Sequence, residues 1–152
     1  MGKAMFMETT TIAPEKTVAQ ITQLLTQYNV AAVLLDYEHG GKVAAVSFRL
    51  SVGQNNQIPF RLPCRWQAVK AKLAAARKKA TRGDTLDDWA RRVAWRQVLR
   101  WLEAQLAMVD TGMVKMEEVM LPYAQLGMSG STVYEAISGN GYQAIADKNK
   151  EG

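Results

Sequence analysis

From Val30 to Pro63 the chain reads as three short β-runs in succession. They are VAAVLLDYE, then KVAAVSFRLSV with alternation at Val46, Phe48, Leu50 and Val52, then IPFRLP with Ile58, Phe60 and Leu62 on one side. Only His39-Gly40-Gly41 and the stretch GQNNQ separate them. A parallel pair needs a crossover of about a dozen residues or more, so links this short admit only an antiparallel meander. Its alternation leaves one apolar face, and that face has to be covered by the segments on either side.

Those segments carry the helical period. Thr17-Val18-Ala19-Gln20 has capping-box spacing, and Val18, Ile21, Leu24, Leu25 and Tyr28 share one face. This predicts a helix of about three turns, closed by Asn29 as a left-handed cap. Beyond the strands a basic helix is expected from Cys64 to Lys79, with Trp66, Val69, Leu73 and Ala76 as its seam. Thr81-Arg82-Gly83-Asp84 interrupts it, and Asp84 or Thr85 caps a long helix ending near Asp110. A short helix near Lys115 to Met120 stops at Pro122, and another is expected from Thr132 to Ile137 with Ser131 as cap. The order α-β-β-β-α followed by helices makes an α+β fold, a single domain over 1–152. Within it, 17–83 form the α-β-β-β-α part and 84–138 the helical part, with loose termini at 1–12 and 139–152.

The long helix contains WARRVAWRQVLRWLEAQLAMVD, three tryptophans and four arginines in one run. At about 100° per residue, Trp89, Val93, Ala94, Trp95, Val98, Leu99, Trp101, Leu102 and Leu106 cover more than half the circumference, so the indoles belong mostly to the core. Trp95 retains a base-stacking alternative. Arg92, Arg96, Arg100 and Glu103 share a narrow arc. The arginine roots rise about 6 Å per step, near the phosphate repeat of an extended strand, and guanidinium binds phosphate bidentately. The competing reading is a solvated stripe trimmed by Glu103.

Charge is unevenly spread. The net value is +5, yet residues 61–100 hold twelve Lys and Arg against three Asp, a local +9 that leaves −4 for the remainder. Such asymmetry points to a polyanion. The basic helix contributes Arg65, Lys70, Lys72, Arg77, Lys78, Lys79 and Arg82, of which the last-turn cations also suit the helix dipole. If the GQNNQ turn is centred on Asn55, Arg49 and Arg61 face each other across the sheet. Like charges so placed need a carboxylate or an anion between them: Asp36, or a phosphate.

Catalytic patterns are missing from the sequence. The one histidine, His39, sits in a turn, and the one cysteine, Cys64, follows Pro63 at a helix start without a basic partner. No phosphate-cradling glycine loop, dinucleotide fingerprint or paired-carboxylate motif occurs. No cofactor, metal or enzymatic activity is expected. One cysteine and no apolar run of membrane-spanning length suit a cytoplasmic protein without membrane attachment.

The stretch AWRQVLRWLEAQLAMVDTGMVKMEEVMLPYAQ, with GSTVYE, TVAQITQLL and FRLP, resembles small uncharacterised proteins of phages and prophages, a likeness over most of the chain that implies no activity. In topology alone the α-β-β-β-α order is similar to a double-stranded RNA-binding domain. AVKAKLAAARKKA stands where that family has its basic second helix, but without the Lys-Lys-x-Ala-Lys start and the glycine-rich approach.

The expectation is therefore a non-catalytic, phage-type nucleic-acid-binding protein serving replication or recombination, and a homo-oligomer. Its contacts to the phosphate backbone would be Arg49, Arg61, the basic residues of 65–82, and Arg92, Arg96 and Arg100. The alternative is a protein-interaction module that inhibits or recruits a host defence or replication protein. Met108, Met113, Met116, Met120 and Met128 would then supply adaptable apolar contact.

Overall fold

The computed structural model describes residues 3–147. Helix α1 (Pro14–Leu25) precedes a sheet of β1 (Val30–Glu38), β2 (Lys42–Val52) and β3 (Asn56–Pro63), ordered β1-β2-β3 and antiparallel throughout. Helices α2 (Trp66–Ala75) and α3 (Leu86–Asp110) follow. A C-terminal arm then holds α4 (Met116–Met120), two short 3-10 turns and α5 (Val133–Gly139). The α+β meander expected from the alternating runs is the fold observed.

The inner face of the sheet and the helices share one core. Val46, Phe48, Leu50, Phe60 and Leu62 pack with Val18, Ile21 and Leu25 of α1, Leu73 of α2, and Ala94, Trp95, Leu99, Leu102 and Leu106 of α3. Phe48 and Phe60 are direct cross-strand partners with ring centroids 5.3 Å apart, a stacked pair that adds to the register's specificity. Trp95 is 1% exposed, which places its indole in the core and away from any stacking surface. Trp66 lies beneath Arg91, whose guanidinium carbon sits 4.0 Å from the ring centroid. The Trp66 Nε1–H donates to Glu38, and Arg91 also pairs with Glu38, so the first hairpin is tied to both α2 and α3.

Several boundaries differ from the sequence expectation, each for a local reason. Helix α1 begins at Pro14, which takes the first helical position, and Thr17 is 0% exposed inside the helix instead of capping it. The helix closes at Thr26 in right-handed geometry, so Asn29 is no left-handed cap. Helix α3 is capped by Thr85, whose hydroxyl accepts from the Asp88 amide at 3.0 Å, and α5 by Thr132 in a reciprocal capping box with Glu135, not by Ser131. Residues 5–10 are a strap across α3, not a loose end. The Phe6 carbonyl accepts from Gln97, the Glu8 carbonyl from the Trp89 indole, and the Glu8 carboxylate from Lys78 at 2.6 Å. Of the expected loose C-terminus, Gly139 ends α5, 140–146 form turns bonded back to it, and 148–152 lie outside the described residues.

Helix α2 is shorter than its composition suggested, and its end is chemically odd. Arg77 adopts φ 58°, with its amide donating to the Ala74 carbonyl and the Lys78 amide to the Leu73 carbonyl, the paired bonds of a Schellman stop. Arg77, Lys78 and Lys79 thus stand past the helix, and Lys72 is the cation in its last turn. A left-handed residue with a side chain is strained where glycine is not. Arg77→Gly should therefore raise stability by about 0.5–1 kcal/mol in chemical denaturation, since relief of strain outweighs the added freedom of the unfolded chain.

Candidate nucleic-acid interface

The cations of the sequence expectation divide into three groups. Five are matched to carboxylates: Arg61 to Asp36, Lys70 to Asp87, Lys78 to Glu8, Arg92 to Asp84 and Arg100 to Glu103. Arg96 is buried at 3% exposure. Arg49, Arg65, Lys72, Arg77, Lys79 and Arg82 are exposed and form no ion pair among the described residues.

The arginine stripe is dismantled by its neighbours. Arg92 donates to both oxygens of Asp84, at 3.0 and 2.7 Å, a bidentate clamp that joins α3 to the loop before it. This hydrogen bonding holds the Asp84 carboxyl below the usual carboxylate range, although partial burial opposes it. Its folded value therefore lies under the unfolded one of about 3.9. The clamp's stability is fully present above that unfolded value and is lost as pH falls through the folded one. Asp84→Asn should lose less stability than the parent between about pH 4 and pH 2, measured by thermal melts across that range.

Arg96 points toward α1. Its Nη1 donates to the Gln20 side-chain oxygen at 2.6 Å and to the Thr17 hydroxyl at 3.3 Å, while Nε has no partner. Burial, then the charge of Arg100, depresses its basicity. The two residues whose spacing resembled a capping box are thus the acceptors of a buried guanidinium. Arg96 is no surface residue, and the stripe is not a continuous phosphate ladder. Arg100 bonds Glu103 at 2.6 Å, the trimming that their spacing suggested.

On the outer sheet face the inferred register fails by a small step. Val52 pairs with Asn56, so the turn is Gly53-Gln54-Asn55, with Gly53 at φ 62° and Asn55 at φ 67°. Arg61 then faces Ser47, and Arg49 faces Pro59. The two arginines share a face without being opposed. Asp36 receives the Arg61 Nε–H at 3.0 Å and the Ser47 hydroxyl at 3.4 Å, so the carboxylate named for this position takes it.

What remains is a basic end on the molecule: Lys72 in the last turn of α2, then Arg77, Lys79 and Arg82 in the loop leading to α3. Arg65 lies apart, on the wall shared by two adjoining clefts. One, of about 320 Å³, is lined by apolar groups that include Val69, Val98, Trp101 and Tyr123. The other is lined by Arg61, Tyr134 and Glu135 among others. Trp101 and Tyr123 meet edge to face at 5.8 Å, which anchors the C-terminal arm there. Nothing in the sequence pointed to these clefts, because their walls come from β3, α2, α3 and the arm.

Nucleophilic chemistry finds no support at the cysteine. Burial, then the charge of Glu38, pushes the Cys64 thiol up to about 12, so it stays protonated. Among the described residues no group of three His, Cys, Asp or Glu is arranged to hold a metal ion, and no helix is long and apolar enough to cross a membrane.

Fold and surface together define an α+β domain with a one-sided sheet, a helical arm and one basic end. Comparison with family models, with curated proteins and with solved structures finds no match to this chain.

Proposed function

We propose that the chain is a non-catalytic nucleic-acid-binding protein of phage type, which grips the phosphate backbone through Lys72, Arg77, Lys79 and Arg82, with Arg65 and Arg49, exposed on other parts of the fold, as further contacts. The observation that carries this is selective neutralisation. Of the twelve cations between Arg49 and Arg100 that the sequence singled out, five are matched to acids and Arg96 is buried, whereas these six are exposed without an ion-paired carboxylate among the described residues. Unopposed charges this close in sequence repel one another, and a polyanion relieves that repulsion. Binding by release of condensed counterions is strong at low salt and reads backbone, not bases. Replication or recombination in the cytoplasm are roles that such an activity suits. Fluorescence anisotropy with short single- and double-stranded DNA and RNA should show affinity falling steeply between about 50 and 200 mM salt. Absence of binding at the lower salt would end this reading.

A second reading, a protein-interaction module, draws support from the C-terminal arm. Leu121, Leu126, Met128, Tyr134 and Tyr142 are large apolar side chains left exposed there. The methionines divide: Met113 and Met128 are exposed, whereas Met116 and Met120 are core. Pull-down from a nuclease-treated host lysate separates the readings, since a stoichiometric protein partner that survives the nuclease favours the second.

A further inference from the structure

The two edges of the sheet are treated differently. Along β3, the Gln125 amide donates to the Pro59 carbonyl at 2.8 Å and Ala124 bridges Phe60, so the arm covers that edge. On the other side of β1 no strand or bridge is present among the described residues. Backbone donors and acceptors on such an edge are a template for another strand. β1 carries neither lysine nor proline to discourage pairing, and its irregularities fall near the ends, between Val30 and Ala32 and between Asp36 and Tyr37. The regular middle, Ala32 to Asp36, is left open. Leu34 at its centre is 64% exposed on the outer face, and the inward-facing Val33 and Leu35 are only partly buried.

We propose that this edge docks a second copy of the chain, with β1 pairing antiparallel to its twin about Leu34. The strand is self-complementary in that register. Leu34 meets Leu34, Val33 meets Leu35, and Asp36 and Glu38 of each copy lie opposite Ala32 and Val30 of the other. No like charges are opposed, and both acids are already neutralised within their own chain by Arg61 and Arg91. The two sheets become one continuous antiparallel sheet, the core helices α1, α2 and α3 stay on one side, and the half-covered Val33 and Leu35 complete their burial. A two-fold interface of this kind is isologous, so one substitution appears twice at its centre.

Sedimentation velocity over a dilution series tests this without reference to nucleic acid. The parent should sediment with twice its 16.9 kDa chain mass at high concentration and dissociate on dilution. Leu34→Glu and Leu34→Lys each place two like charges side by side and should sediment as monomers at every concentration, with the parent's circular dichroism retained. An equimolar mixture of these two variants should recover the dimer mass, because the opposed pair becomes attractive. A parent that is monomeric throughout the series, or variants that dimerise as the parent does, would overturn the proposal.

Discussion

Truncating Arg96 to alanine should destabilise the protein by about 2–5 kcal/mol, the range of large-to-small changes in a packed interior. The long stem fills the contact between α3 and α1, and its removal leaves a void beside the Thr17 hydroxyl and the Gln20 amide, both then without their present donor. Arg96→Met should behave differently. It retains most of the stem and removes a buried charge whose only side-chain acceptors are neutral and whose Nε is unpartnered. Replacing a buried ion by an apolar group of similar shape is often neutral or stabilising, so methionine should fall within about 1.5 kcal/mol of the parent. Urea denaturation of the three proteins measures both. An alanine variant within about 0.5 kcal/mol of the parent, the usual range for surface positions, would mean that the α1–α3 packing described above is wrong. Neither variant should alter the salt dependence of nucleic-acid binding.

The second large effect is on binding. Neutralising the basic end with Lys72→Gln, Arg77→Gly, Lys79→Gln and Arg82→Gln together should remove most affinity for DNA at low salt. If all four contact phosphate, the slope of log affinity against log salt should become shallower by about 3.6, at 0.9 per contact on a duplex. Single variants should each remove about one unit, uniformly across sequences. The glycine at residue 77 guards the interpretation, because the fold should gain stability there while charge is lost. Neutralising Arg92 or Arg100 gives the contrast: both already hold carboxylates, so their loss should leave the slope nearly unchanged. Equal slopes for the four-site variant and the parent would refute the basic end as the contact surface.

How far the fold was legible follows from which interactions are local. Strands β1 and β2 match the expected runs residue for residue, because alternation and the short loops around Gly40 and Asn55 are encoded within a few positions. The long helix was legible for the same reason, its apolar coverage being too wide for any surface helix. Cap identity was less secure. Thr17 has the right spacing for a cap, but Pro14 upstream starts the helix first.

By itself the sequence determined the meander, the packing of the indoles in or against the core (Trp95 buried, Trp89 and Trp101 half-buried) and the concentration of positive charge between residues 61 and 100. Those depend on periodicity and on counting, which survive any arrangement of the elements. Only the tertiary structure decided which cations are available. Arg92, Arg96 and Arg100 have the same chemistry and regular spacing, yet Asp84 clamps the first, α1 buries the second and Glu103 binds the third. Glu8 reaches Lys78 from seventy residues away in the chain. A charge's availability is set by what lies within a few ångströms of it, and for side chains on different elements that distance is decided by packing, not by sequence separation.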